Sequence, residues 1–185
     1  MTSYPFFKEP EKHKVFISYY HKDDQYYRDK FEELFGHLFI NKSVKDGDID
    51  SDLSADYIKR LIQLGYITDA SVVLVLVGPK TYCRKHVDWE ISAGLNKKVG
   101  GYSGLLGILV PDFKLSAKGE YQYSDIPARL ADNIKTKYAE MYTWSYACSS
   151  ELQIKNVIET AFQNRISKAN QIDNSREQMK RNTCE

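Results

Sequence analysis

The sequence predicts an α/β fold built on a mainly parallel five-stranded sheet. The strongest indication is the uninterrupted aliphatic run Val72–Val77, which is typical of a central parallel strand buried on both faces. Shorter β-type runs lie on either side of it and alternate with segments whose apolar residues recur at helical spacing. A length of 185 residues fits one domain, since domains cluster at about 100–150 residues.

The first half of the chain predicts three strands and two helices. The β-type run 14–19 opens the domain, and helical spacing of apolar residues predicts a helix over 24–36. A weak second strand is expected over 38–44. Ser54 is a good N-cap for a helix that ends before Gly65, and the third strand follows at 71–77.

The second half predicts two more strands, each followed by a helix. A helix over 85–97 leads into a buried strand at 105–110, and a short helix at 127–134 leads into an edge strand at 138–144. Ser150 and Gln153 form a capping box for the last helix. The positions expected to be buried on that helix are Leu152, Ile154, Ile158, Ala161 and Phe162.

Alternating strands and helices predict a flavodoxin-like, three-layer fold with strand order 2-1-3-4-5. Residues 1–13 are a polar lead-in, 14–169 form the domain, and 170–185 are expected to be a disordered polar tail. Ligands of open α/β sheets bind at the carboxyl ends of the strands, near the switch point between strands 1 and 3. We therefore expect the residues after Tyr19, Val44 and Val77 to line the site.

Composition argues against several kinds of partner. The chain has 26 Lys and Arg against 25 Asp and Glu, for a formal net charge of +1. Nucleic-acid-binding proteins usually carry a basic excess, so no nucleic-acid partner is expected. The longest aliphatic run is far too short to cross a bilayer, which needs about 20 residues, and the first residues lack a signal-peptide pattern. We expect a cytoplasmic protein with no membrane partner.

The cysteines indicate a reducing compartment. Cys83, Cys148 and Cys184 are odd in number and share no close spacing, which argues against a disulfide framework or a zinc site. No metal ligands are therefore assigned. Cys83 lies close to the candidate site, but no histidine is placed to activate it, so a passive buried thiol is expected.

Four other kinds of ligand or phosphorylation site are not supported by the residues around them. The glycine-rich stretch 100–107 follows a helix and opens a strand, the reverse of a dinucleotide fingerprint. The acidic loop 46–52 lacks the glutamate that an EF-hand requires. A phosphoacceptor receiver would need an aspartate where strand 3 ends at Val77, and a flavin site would need a small, glycine-rich loop where this chain has Tyr20 and His21.

The segment 81–91 is the most informative one for function. It begins just beyond strand 3 and enters a helix, so it lies over the predicted cleft. Glu90 falls beside the apolar stripe of Val87 and Ile91 rather than opposite it. Periodicity alone also fits an ordinary exposed helix glutamate, paired with Lys97 or Arg84.

Three segments together resemble the TIR-like family of bacterial antiphage defence, especially the TIR proteins of Thoeris systems. They are Val15-Phe-Ile-Ser-Tyr19, the strand that ends at Gly78, and Arg84-Lys-His-Val-Asp-Trp-Glu-Ile91. TIR domains usually have Trp-Cys or Trp-Val, two further residues and then Glu. This chain keeps the glutamate spacing but has His86 at the tryptophan position, which alters one wall of the pocket.

The resemblance implies that the chain consumes NAD as a substrate, with no further cofactor and with Glu90 as the catalytic residue. Catalytic TIR domains cleave the bond between nicotinamide and ribose. In the defence setting the implied product is a signalling nucleotide derived from ADP-ribose, which activates a separate effector protein after a phage-derived trigger. The family's pocket maps onto residues expected to bind NAD: Phe16, Ser18, Tyr19, Arg84, Lys85, His86 and Trp89.

Two other functions remain open from the sequence. A non-enzymatic TIR module would signal by assembly through its helices and loops, and would tolerate Glu90 on the surface. A plain NAD hydrolase would release free ADP-ribose and deplete the cofactor. The non-enzymatic module differs from an enzyme in whether Glu90 points into a cleft with Ser18. The hydrolase differs from a signalling enzyme in its product. The sequence also leaves homo-oligomerisation open.

Overall fold

A computed structural model describes residues 12–43 and 65–184, and its sheet has the predicted order. Five strands pair in the order β2-β1-β3-β4-β5, and every pairing is parallel. Their bounds are β1 Lys14–Ser18, β2 Ile40–Asn41, β3 Val72–Val77, β4 Gly104–Leu109 and β5 Glu140–Thr143. This sheet, with helices on both faces, confirms the flavodoxin-like α/β prediction.

Six α-helices are described in these two ranges. They are α1 His21–Phe35, α2 Lys85–Gly94, α3 Lys97–Gly100, α4 Ala128–Lys135, α5 Trp144–Ala147 and α6 Glu151–Ser167. Short 3-10 turns occupy Gly36–Leu38, Thr81–Cys83, Tyr123–Asp125 and Ala169–Gln171.

The sheet separates two hydrophobic cores. On one face Phe16 and Val75 pack with Val87 and Ile91 of α2 and Leu130 of α4. Alternate residues of the same strands face the other core, which α1 and α6 cover. All six residues of β3 are buried because both of its faces are covered, as its unbroken apolar run predicted.

Several element boundaries differ from the prediction. Helix α1 begins at His21 rather than 24, because the amide of Asp24 already donates to Tyr20 O at 2.8 Å. Strand β2 is only two residues long, since a 3-10 turn occupies Gly36–Leu38. The predicted helix 85–97 is interrupted after Gly94, and Asn96 caps the separate short helix α3 by accepting from Lys98 N.

The last helix agrees with its predicted cap but not with all of its predicted core. Ser150 Oγ accepts a hydrogen bond from Gln153 N at 3.1 Å. Ile154, Ile158 and Ala161 are buried. Leu152 is 69% exposed, so its predicted burial is wrong: it lies in the first turn of the helix, on the side away from the sheet.

The prediction of a disordered tail over 170–185 is also wrong for residues 170–184. Although polar, this segment lies against α2 and α4 and is held by hydrogen bonds to both helices. The predicted helix after Ser54, the acidic loop 46–52 and most of the lead-in lie outside the described residues. Within the described residues, no helix has the length and apolarity needed to cross a membrane.

Candidate functional site

A buried serine–glutamate pair lies at the carboxyl end of β1. Ser18 Oγ donates a hydrogen bond of 2.5 Å to Glu90 Oε2. The two side chains are 1% and 2% exposed. A buried carboxylate needs hydrogen-bond partners to stay charged, and Ser18 is one of them.

The fold brings these two residues together from distant parts of the chain. Residues of β1 alternate between the two sheet faces, so Ser18 shares the α2 face with Phe16. Glu90 lies on the inner side of α2, beside Val87 and Ile91, whose side chains anchor the helix to the sheet. The carboxylate is therefore presented at the sheet edge where α/β proteins bind ligands.

Arg84 lies beside this sheet edge with part of its guanidinium unbonded. The group stacks over the Tyr20 ring, with Cζ at 3.7 Å from the ring centroid. Arg84 is 5% exposed, and among residues 12–43 and 65–184 its Nε and Nη2 atoms have no hydrogen-bond partner. Leaving a buried donor unsatisfied costs about 1–3 kcal/mol, so this arrangement calls for an explanation.

Two histidine side chains lie at the same edge of the sheet. His86 Nε2 lies 3.1 Å from the carbonyl oxygen of Tyr19. The His21 ring meets the His86 ring edge-on, with their centroids 5.7 Å apart. It also stacks on the Tyr19 ring, with a centroid distance of 4.3 Å. His86, at the family's usual tryptophan position, thus joins α2 to the end of β1.

The structure places two of the aromatic residues predicted to bind NAD in the hydrophobic cores. Phe16 is 1% exposed and packs in the core beneath α2, and its role in binding NAD stays a prediction. The Tyr19 ring lies in the core on the opposite face, and its hydroxyl donates to Gln25 Oε1. Strand alternation explains the placement of Tyr19, because residues 18 and 19 point to opposite faces.

Two further predicted residues lie on the outer face of α2. Trp89 is half-buried, and its Nε1 donates to Met179 O at 2.8 Å. The ammonium group of Lys85 lies over the Trp89 ring at 5.3 Å. The amide of Lys85 donates to Asn182 Oδ1, so this part of the helix N-terminus already has a protein partner. These contacts hold Lys85 and Trp89 against the C-terminal segment, and their roles in binding NAD stay predictions.

A buried ion pair fixes the position of α2 against α4. Arg129 Nε donates to Asp88 Oδ1 at 2.9 Å, and the side chains are 0% and 6% exposed. Because Asp88 is two residues before Glu90, this pair sets the rotation of the helix that carries the candidate carboxylate.

A second buried acid supports the loop that leads into α2. Asp24 Oδ2 accepts from Thr81 Oγ1 at 2.8 Å, and Thr81 Oγ1 accepts from Gly78 N at 2.8 Å. A side chain at position 78 would collide with the Asp24 carboxylate, so only glycine fits there. Burial raises the pKa of Asp24, while its hydrogen bonds oppose that shift.

Two surface cavities lie away from the serine–glutamate pair. One, of about 780 Å³, lies near the start of β1 and contacts α6. The other, of about 510 Å³, lies between the C-terminal segment and the start of α4. Neither is lined by Ser18 or Glu90, and the predicted cleft wall after Val44 lies outside the described residues.

The sequence predicted that the residues after Tyr19 line the site, and Tyr20 and His21 do lie there. It assigned no individual role to Tyr20, His21 or Asp24. Asp24 gave no local signal, because its burial depends on Gly78 and Thr81, more than 50 residues later.

The comparison with protein families agrees with this arrangement. The profile described as Thoeris protein ThsB, TIR-like domain, matches residues 16–114, which is more than half of the chain and includes both Ser18 and Glu90. No curated protein matches the chain. The chain is a member of the TIR-like domain family of the Thoeris protein ThsB.

Proposed function

We propose that this protein cleaves the bond between nicotinamide and ribose in NAD, with Glu90 as the catalytic residue. Membership of the Thoeris family implies a role in antiphage defence, and cleavage of NAD is the reaction proposed for that role. The observation that carries it is the buried Ser18–Glu90 hydrogen bond at the carboxyl end of β1. An ordinary surface glutamate would be exposed, whereas Glu90 is 2% exposed.

The chemistry suits a single carboxylate. Nicotinamide leaves as a neutral base from a cationic pyridinium, so no general acid is needed to protonate it. The ribose develops oxocarbenium-like positive charge, which a fixed anion nearby stabilises. Hydrogen bonds from ribose hydroxyls to Glu90 would strengthen in the transition state.

Ser18 is assigned a positioning role. Its hydroxyl donates to Glu90 Oε2, which restrains the orientation of the carboxylate. Preorganised charge is effective because the protein does not have to reorient during the reaction. The serine itself has no base placed on it by the described contacts, so it is not proposed as a nucleophile.

Arg84 is proposed to bind the pyrophosphate of NAD. Within the described part of the chain, two buried nitrogens of its stacked guanidinium have no hydrogen-bond partner, and a phosphate oxygen would accept hydrogen bonds from them. The stacking on Tyr20 fixes the plane of the group before a ligand arrives, which reduces the entropy lost on binding.

The product proposed is a nucleotide derived from ADP-ribose, cyclised or joined to another acceptor. It would activate a separate effector protein after a phage-derived trigger. A plain NAD hydrolase, by contrast, would yield free ADP-ribose.

The test is incubation of the purified protein with NAD, with and without lysate from phage-infected cells, followed by mass spectrometry. Wild type is compared with Glu90→Gln, which keeps the size of the side chain and removes its charge. We expect nicotinamide and a new nucleotide from wild type, and a rate about 10²–10³ lower in the variant. Equal turnover by both proteins would exclude Glu90 from catalysis, and free ADP-ribose alone would identify a hydrolase.

A further inference from the structure

Residues 173–184, here called the C-terminal strap, run antiparallel along the outer face of α2. Successive strap residues meet successive turns of the helix in reverse order. The hydrogen bonds join Asn174 and Gln178 to Ser92, Met179 to Asp88 and Trp89, and Asn182 to Lys85. Beyond the helix, Thr183 N donates to Cys83 O, and Cys184 forms a disulfide with Cys83.

The strap supplies polar partners at both ends of α2. The N-cap residue, Arg84, makes no side-chain capping bond, but Asn182 Oδ1 accepts from Lys85 N at 3.0 Å. In the last turn, Asn174 Nδ2 donates to Ser92 O at 3.0 Å. The first N–H groups and the last carbonyls of a helix have no intrahelical partners, so these two bonds replace missing ones.

Arg129 attaches the strap to the rest of the domain. Its Nη1 donates to Asn174 Oδ1 at 2.8 Å and its Nη2 to Glu177 O at 3.3 Å. The same side chain holds Asp88, whose second oxygen accepts from Met179 N at 2.8 Å. Strap, α2 and α4 therefore share one buried set of hydrogen bonds, and movement of the strap would change the surroundings of Asp88.

The strap supports α2 from behind and does not cover the side of Glu90. Its partners Lys85, Asp88, Trp89 and Ser92 are spaced three or four residues apart and form one helix face. Glu90 points inward to Ser18, away from that face. A contact of this kind holds the helix in place rather than blocking a ligand.

We propose that the strap is a positioning element for the catalytic helix, and that the Cys83–Cys184 disulfide fastens it. This inference rests on the proposed role of Glu90. The Cα atoms of Cys83 and Cys184 are 5.6 Å apart, within the usual range for a disulfide. The bridge joins the strap to the residue that precedes the N-cap of α2, where a small displacement changes the start of the helix.

Opening the bridge is a two-electron step with defined participants. Two molecules of a low-molecular-weight thiol supply two electrons and two protons; Cys83 and Cys184 become thiols, and the reductant becomes a disulfide. Attack is expected at Cys184, which is partly exposed, because Cys83 is fully buried. The released Cys83 thiol has an acceptor, since its Sγ lies 3.0 Å from Lys80 O.

Trp89 can report whether the strap is attached. The chain has two tryptophans, so Trp144→Phe leaves Trp89 as the only indole. In this background, the reductant tris(carboxyethyl)phosphine or Cys184→Ser should shift Trp89 emission to longer wavelength and speed hydrogen exchange in α2. Cys148→Ser is the matched control, because Cys148 is a free cysteine outside the bridge, and it should respond to reductant as the parent does.

The link to catalysis is measured in the same proteins with NAD. Reduction or Cys184→Ser should lower kcat by roughly 10-fold with little change in KM, because the carboxylate is misplaced while substrate contacts remain. Asn182→Ala should act in the same direction and Asn182→Asp should restore activity, since the aspartate keeps an acceptor for Lys85 N. The proposal would be overturned if reduction changed neither Trp89 emission, nor hydrogen exchange in α2, nor kcat. It would also be overturned if the strap were released without loss of kcat. Full activity of Glu90→Gln would instead overturn the proposed function, and the fluorescence and exchange results would still decide whether the strap positions α2.

Discussion

Arg129 and Asp88 form an ion pair in which both side chains are almost completely removed from water, with Nε and Oδ1 2.9 Å apart. Removing one member of such a pair leaves a buried charge without compensation, which typically costs about 3–5 kcal/mol. We therefore expect Asp88→Ala to lower the free energy of unfolding by about 3–5 kcal/mol, measured by urea denaturation.

The control for that variant is a more exposed ion pair, which joins α4 to the strap. Arg176 and Asp132 are joined at 2.7 Å, but the arginine side chain is 46% exposed. Asp132→Ala should cost only about 0–1 kcal/mol. Equal losses from the two variants would mean that burial does not determine the strength of the Asp88 pair.

Ser18→Ala tests whether the serine positions the catalytic carboxylate. A hydrogen bond to a charged group contributes about 1.5–3 kcal/mol, so loss of the Ser18 hydroxyl should lower kcat for NAD roughly 10- to 100-fold. Ser103→Ala is a matched control, because Ser103 is also buried but donates to Ala70 O near the start of β4. Steady-state kinetics should show no effect of the control, and an unaffected kcat in Ser18→Ala would contradict the assigned role.

Arg84→Met tests the proposed pyrophosphate contact. The variant keeps an unbranched side chain over Tyr20 but loses the unpaired nitrogens, so KM for NAD should rise roughly 10- to 100-fold. The free energy of unfolding should not fall, because the guanidinium leaves buried donors unsatisfied. Such a separation of binding from stability is not expected of a residue that only supports the fold.

Arg165→Met provides the comparison for Arg84. The Arg165 guanidinium also stacks on an aromatic ring, at 3.9 Å from the centroid of Phe162, and also has an unbonded Nε. Arg165 lies on α6, on the far side of the sheet from α2. Its variant should leave KM for NAD unchanged, and similar KM values for both variants would contradict the Arg84 assignment.

Asp24→Asn tests the buried acid beneath the loop that leads into α2. Burial raises the pKa of Asp24, so the folded state is penalised once pH rises above the unfolded-state pKa of about 3.9. Asparagine carries no charge. The free energy of unfolding of the variant, relative to wild type, should therefore increase as pH is raised from about 4 to about 7.

Asp69→Asn is the opposite case to Asp24→Asn. In Asp69 the charged carboxylate stabilises the fold instead of destabilising it, because hydrogen bonds from Lys14 and Lys42 lower the pKa of Asp69. Its stabilising contribution is present above the unfolded-state pKa of about 3.9 and is lost as pH falls further. Between about pH 5 and pH 7, its difference from wild type should stay constant in urea denaturation. A flat profile for Asp24→Asn across the whole range from about pH 4 to about pH 7 would show that its carboxylate is not destabilised by burial.

The sheet was predictable because its strongest signal is local. The aliphatic run of β3 requires cover on both faces, and the order of the remaining strands follows from their connections. The helix around Glu90 was also predicted, since Val87 and Ile91 define its inner face. Boundaries were less predictable where polar residues continue a helix, as His21 does at the start of α1.

The strap could not be predicted from local sequence. Its contacts use backbone carbonyls and short polar side chains, and Asn182 meets Lys85 across 97 positions of the chain. Cys83 and Cys184 are separated by 101 positions and share no spacing motif, and the expectation that Cys83 is a passive buried thiol was wrong. The polar composition of residues 170–184 predicted disorder. It could not show that the folded α2 and α4 supply hydrogen-bond partners for this segment.

Ser18 and Glu90 are 72 positions apart, and their contact exists only when β1 has paired with β3 and α2 has packed on the sheet. A fragment that ends before α2 has no such carboxylate, and an unfolded chain has one without an oriented partner. If NAD is the substrate, the growing chain cannot consume the cell's dinucleotide before these elements have packed together, because the carboxylate has no oriented partner until then.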